Sequence, residues 1–168
     1  MWERIFVDRD QVPLPVSVRA LAELREHARE THPEECCGLI LGRKRADLER
    51  VVRCRNEMTR LHRQDCEQFP HDGREAFHMN EADVLQAQRF ADAEGWIVTG
   101  VYHSHADAGP YFSTLDQEFA SQPGFPFPDA MHVVISVLEG MVKEVAAFAR
   151  HDSSSGFAGR LLAAEAPQ

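Results

Sequence analysis

Two histidines set two residues apart, His103 and His105, are followed after seven residues by Ser113 and, three further on, by Asp116. On an extended strand, side chains two apart point to one face, so both imidazoles can address a single metal ion. Neutral imidazole is a good zinc ligand. His-x-His also occurs on strands that hold no ion, so the pair alone does not establish a site. Ser-Thr-Leu-Asp (113–116) has a second reading as a helix start, with the serine capping a free backbone N–H and the acid complementing the helix dipole. Joined, the signals describe one object. The seven-residue loop lets the first turn of a new helix fold back over the strand's end and carry Asp116 to the histidines.

Two imidazoles and one carboxylate would leave a tetrahedral zinc with one open position, suited to activating water. Such a site still needs a base to take the water's proton and return it to a leaving amine. Glu34 and Glu35, in the stretch HPEECCGLILG, lie between the end of a helix and an apolar strand. Spacing does not choose between them, and both also read as solvated turn carboxylates.

The elements that must position these residues follow from periodicity and punctuation. Ser17 caps a helix expected over 18–30, stopped by Pro33, and the apolar run 36–42 with 48–56 makes a hairpin across the charged turn GRKRAD. Residues 57–74 show no sustained period and are expected to form a long surface loop, followed by a short strand at 75–79. Asn80 caps a helix through 94 that ends at Gly95, and 96–105 is a central strand running into the histidines. A short helix near Ser113, a Pro/Gly/Phe loop at 121–130 and a hairpin from 131–138 and 142–150 complete the domain. Interleaved strands and helices predict a mixed sheet flanked by helices. One domain is expected over 1–150, with 151–168 as a linker-like, disordered tail.

PEECCGLILG together with GVYHSHADAGPYFSTLD resembles the JAMM (MPN-plus) zinc metallopeptidase family, in its bacterial and archaeal single-domain type. That family's pattern is Pro-x-Glu-x-Cys-Gly-x-Leu-x-Gly, then His-x-His, seven residues and Ser-x-x-Asp, and the likeness covers roughly 14–150. It implies an α/β fold with a mixed, mainly antiparallel sheet of cytidine-deaminase-like type. It also implies one Zn2+ per chain, held by His103, His105 and Asp116. Glu35 rather than Glu34 becomes the general acid/base, because it stands two before Cys37-Gly38, and Ser113 the donor to the reacting oxygen. The implied reaction is hydrolysis of peptide or isopeptide bonds, with the carboxyl-terminal tail of a ubiquitin-like sulfur carrier as the expected substrate. Such a tail would lie along a sheet edge, with the 57–74 loop helping to hold it.

Two positions depart from the family pattern. Ala106 and Phe112 stand where prolines are usual, which predicts a less constrained loop, while Asp107 adds a carboxylate expected to serve the loop and not the metal. The alternative to an enzyme is a non-catalytic or partner-gated scaffold of the same fold. A zinc nucleobase deaminase is the weaker alternative, since the chain has neither H-x-E followed by P-C-x-x-C nor any CxxC.

A net charge of -9, from 18 Lys and Arg against 27 Asp and Glu, argues against nucleic acid or an anionic membrane as partner. The N-terminal stretch MWERIFVDRDQ lacks the apolar run of a leader, and no segment approaches membrane-spanning length. Cys36, Cys37, Cys54 and Cys66 lack metal or redox spacing and suit buried thiols, so a cytoplasmic location is expected. Nothing in the sequence indicates an oligomeric state.

Overall fold

Residues 3–151 and 156–165 are described by a computed structural model. In chain order the elements are β1 (Leu14–Val16), α1 (Val18–Thr31), β2 (Cys37–Gly42), β3 (Arg50–Cys54), α2 (Met58–Gln64), α3 (Glu81–Glu94), β4 (Ile97–Ala106), α4 (Thr114–Ala120), β5 (Met131–Leu138), β6 (Met141–Arg150) and β7 (Phe157–Ala164). The seven strands form one sheet in the order β1-β7-β6-β5-β4-β2-β3. It is mixed but mainly antiparallel: β1 runs parallel to β7 and β4 parallel to β5, while the other neighbouring pairs are antiparallel.

The period-two alternation of β4 sorts its residues between two buried faces. Tyr102 joins Ile40, Val133 and Ile135 against Ala20, Leu24 and Ala28 of α1. Val101 points the other way, toward Leu39, Ala87 and Phe127 on the side of α3. His103 and His105 share Val101's parity, so they emerge on the α3 and α4 face. β4 lies between β2 and β5, which makes it an interior strand whose backbone is paired on both sides.

Helix boundaries follow the expected caps. Ser17 Oγ accepts from Ala20 N and Asn80 Oδ1 from Asp83 N, and Gly95 closes α3 at φ 69°, a left-handed conformation that glycine adopts without steric cost. Gly38 has a different reason to be glycine. A Cβ there would lie 2.3 Å from Val52 O and 2.6 Å from the Tyr102 ring, so β2 can sit between β3 and that ring only without a side chain.

Three expectations are corrected. Residues 57–74 are not one irregular loop, because 58–64 form α2; none of its residues is buried, so it carries no apolar stripe to betray it. Residues 75–79 make no strand beyond an isolated bridge of Met79 to Asn56. The Asn56 side chain takes the backbone groups a neighbouring strand would have used, donating to Ala76 O at 3.1 Å and accepting from His78 N at 3.0 Å. The domain does not end at 150, since Phe157–Ala164 pairs with β6 and carries β1 on its far side. Phe157 and Leu162 are buried in the core, so 157–164 is no disordered tail; residues 152–155 and 166–168 of that expected segment lie outside the described residues.

Candidate metal centre

His103, His105 and Asp116 converge as three buried residues whose ligand atoms all lie within 4.8 Å of one another. The two Nε2 atoms are 3.2 Å apart, Asp116 Oδ1 is 3.1 Å from His103 Nε2, and Asp116 Oδ2 is 3.4 Å from His105 Nε2. Donors about 2.0–2.1 Å from a tetrahedral zinc stand roughly 3.3 Å from each other. The spacing therefore fits such an ion. The donor set fits it too, two imidazoles and a carboxylate with a fourth position left for water. His105 Nδ1 sits 3.1 Å from Gly109 O, and a proton donated to that carbonyl leaves the Nε2 lone pair aimed at the centre. The His103 ring is fixed by Phe77, stacked on it at 4.6 Å between centroids.

Asp116 arrives through the helix start. Ser113 is the N-cap of α4, its Oγ accepting from Asp116 N at 3.0 Å while Asp116 Oδ2 accepts from Ser113 N at 2.8 Å. Ser113 Oγ also donates to Asp116 Oδ2 at 2.6 Å. The capping box and the metal group thus share Asp116. Burial opposes charge on Asp116, yet His103 and His105 hold its carboxyl far below the ordinary carboxylate range, so it is an anion ready to face a cation.

The loop between β4 and α4 is tied down without the two prolines. Asp107, at φ 55°, donates its N–H to Val137 O at 2.7 Å, and Ser136 Oγ donates to Ala108 O at 2.7 Å. The Asp107 carboxylate accepts from Glu139 N at 3.2 Å, serving the loop as expected. Phe112 is fully buried, stacked on Phe148 at 5.3 Å and packed on Phe157, so an aromatic anchor stands where proline was expected. Its backbone pairs with Ile5 in both directions, at 2.9 and 3.0 Å, and Gln117 Nε2 donates to Glu3 O at 2.7 Å. The segment before β1 therefore straps down the loop that carries Ser113.

Glu35 lies on the same cleft of about 710 Å³ as His105, Ser113 and Asp116. Burial, reinforced by the nearby charges of Asp116 and Glu75, raises its carboxyl well above the usual range. Three bonds place it. Its N–H donates to Gly73 O at 2.6 Å, its carbonyl accepts from Asn56 Nδ2 at 3.0 Å, and the next residue, Cys36, donates its N–H to Ser104 Oγ at 2.8 Å. Ser104 sits between the two histidines but on the opposite face, where it stitches the start of β2 to the strand of the metal ligands. Glu34 is turned away, its carboxylate accepting from Thr59 Oγ1 at 2.6 Å.

Sequence reasoning missed Ser104, Asn56 and Gln117. Each is a polar side chain satisfying backbone groups distant in sequence, a role that carries no spacing signal. The remaining histidines are not part of the ligand group. His132 is buried against Phe112, Phe125 and Phe157, His62 Nδ1 contacts Phe69 O, and His71 pairs with Glu75. Cys36, Cys37 and Cys54 are buried free thiols, whereas Cys66 is exposed.

A family model of prokaryotic homologs of the JAB domain matches residues 17–151. The chain belongs to this family. The JAB domain is similar over 100 residues, at 30% identity, to the Tail tip assembly protein K of Escherichia phage N15; the match takes in 59% of this chain and 33% of the phage protein, so the chain spans about a third of that relative's length. Among solved structures, a protein from Desulfitobacterium hafniense aligns at TM-score 0.63 and 24% identity over 90% of this chain and 92% of its own. A protein from Salinibacter ruber aligns at TM-score 0.59 and 25% identity over 92% and 93%. These likenesses bear on the fold. Within it, the buried His103, His105 and Asp116 of this JAB domain form a group that can hold a metal ion. Among the described residues, no helix is long and apolar enough to cross a membrane.

Proposed function

We propose that this JAB domain is a zinc-dependent hydrolase of peptide or isopeptide bonds, with the extended carboxyl-terminal tail of a ubiquitin-like sulfur carrier as substrate. The observation that carries the reading is the placement of a buried carboxyl, Glu35, its proton affinity raised by burial, on the same cleft as His105 and Asp116, which form one group with His103. Zinc held by those three side chains would polarise the scissile carbonyl and make water a better nucleophile at neutral pH.

The protein's own groups do the rest. Glu35 takes the proton of the attacking water and delivers it to the leaving nitrogen, a task suited to a carboxyl whose affinity for protons has been raised by burial. The Ser113 hydroxyl, which donates to Asp116 in this arrangement, is placed to turn toward the oxygen on which charge develops. Phe77 and Tyr111, in ring contact with His103 and His105, shield the imidazoles from bulk water. The wall built by α2 and the turns after it flanks the cleft and holds the tail.

The phage relative's name, which describes tail-tip assembly, favours a second reading in which the domain serves an assembly and turns nothing over. Metal analysis and proteolysis separate the two. Wild type is expected to carry one zinc and His103→Ala none, and Glu35→Gln is expected to keep its zinc while losing about 10²–10⁴-fold in tail cleavage followed by mass spectrometry. Bound zinc with no cleavage of any carrier tail by wild type would leave the assembly reading standing.

A further inference from the structure

Arg74 is the one Lys or Arg, among the described residues, that lines the cleft Glu35 shares with His105 and Asp116, and its guanidinium has no ion-pair partner there. None of the neighbouring carboxylates in sequence takes its guanidinium. Asp72 accepts only the Arg74 backbone N–H, at 2.9 Å, Glu75 pairs with His71 at 3.2 Å, and Glu34 accepts from Thr59 at 2.6 Å. Other guanidiniums of this region have found their acids: Arg60 bonds Glu57 at 2.7 Å and Arg55 bonds Asp83 at 3.0 Å. Arg74 is left over on a wall that also presents Glu35, Glu75, Asp116 and Glu118.

The backbone that bears Arg74 is fixed relative to the base. Gly73 O accepts from Glu35 N at 2.6 Å, Gly73 N donates to Thr59 Oγ1 at 3.0 Å, and Ala76 O accepts from the same Asn56 amide that holds the Glu35 carbonyl. The guanidinium thus leaves a turn anchored on both sides to the segment of Glu35. Apolar rings line the same cleft, Phe69 and the pair Phe77 and Phe119, whose centroids are 5.2 Å apart. A planar, permanently charged fork beside an apolar surface suits a carboxylate attached to a side-chain-bearing residue.

We propose that Arg74 binds the free α-carboxylate of the substrate, so that a chain ending at the cleft is held in preference to one whose terminus is blocked or continues past it. The inference rests on the peptidase reading for its substrate class, but its test does not need turnover. Two probes suffice, the peptide acetyl-Ala-Gly-Gly-Phe as the free acid and as the carboxyl-terminal amide. Their dissociation constants are measured by calorimetry on zinc-loaded Glu35→Gln protein, with and without Arg74→Gln or Arg74→Lys.

The acid is expected to bind about 10-fold more tightly than the amide. Arg74→Gln is expected to abolish that preference while leaving amide binding unchanged, and Arg74→Lys to keep part of it. Equal binding of acid and amide overturns the proposal. So does a preference that survives Arg74→Gln, because the carboxylate would then be held by the metal. If the preference depends on Arg74 and yet protein with native Glu35 cleaves neither peptide, the carboxylate site stands and the peptidase reading falls.

Discussion

Ser104 Oγ is the acceptor for Cys36 N, and through that bond the strand of the metal ligands sets where Glu35 stands. Replacing it with alanine orphans a buried N–H, a loss of about 1–3 kcal/mol. Ser104→Ala is therefore expected to lower the urea midpoint and to cut turnover by about 10-fold or more, since small misplacements of a catalytic group are costly. On the zinc reading, metal content should match that of wild type, because the side chain lies on the face opposite the His103 and His105 imidazoles. A variant with unchanged turnover in zinc-loaded form would remove Ser104 from the positioning of Glu35. The histidines, the aspartate and the glutamates were legible in the sequence because their spacing is local or matches a pattern. Ser104 and Asn56 were not, because each bonds backbone groups 20 or more residues away.

The strap formed by residues 3–7 acts on an element, not on a ligand. Ile5 N donates to Phe112 O at 3.0 Å, next to the cap that fixes Asp116. Ile5→Pro removes that donor, and the expected outcome is a zinc affinity weakened by about 10-fold in competition with a chelator, in the range seen when outer partners of metal ligands are lost. Unaltered affinity would mean that the capping box alone holds α4. At this scale the amphipathic helices and the core strands were readable, and the misses share a cause. In α2 no residue is buried, the 75–79 segment gives its hydrogen bonds to a side chain, and β7 is an alternating strand whose partners are revealed only by the fold. Phe112 shows the reverse case. A missing proline suggested a loose loop, but burial of the ring supplied the restraint by packing.

Across the whole molecule, two buried histidines couple stability to pH. Burial lowers His132 to about 3 and, with Arg53 adding to the effect, His27 to about 4, against an ordinary value of 6.5. Both are bases depressed in the folded state, so between pH 6.5 and about 4 the unfolded chain binds more protons and stability falls as the pH drops. At pH 5 the His132 contribution alone is about 2 kcal/mol. The raised Glu35 carboxyl acts in the opposite sense, so the histidine contribution is read by difference: His27→Gln is expected to lose less of its urea midpoint than wild type between pH 7 and pH 5, and an equal loss in both would show that His27 is not held neutral. The placement of the metal ligands has a kinetic side as well. His103 and His105 sit on an interior strand, among the last backbone to open, while Asp116 rides on a seven-residue helix held by a cap and a strap. Exchange of the proposed ion should thus run through the departure of α4 alone. The two imidazoles would wait in place, so ion turnover would be fast relative to unfolding and would leave the fold intact behind it.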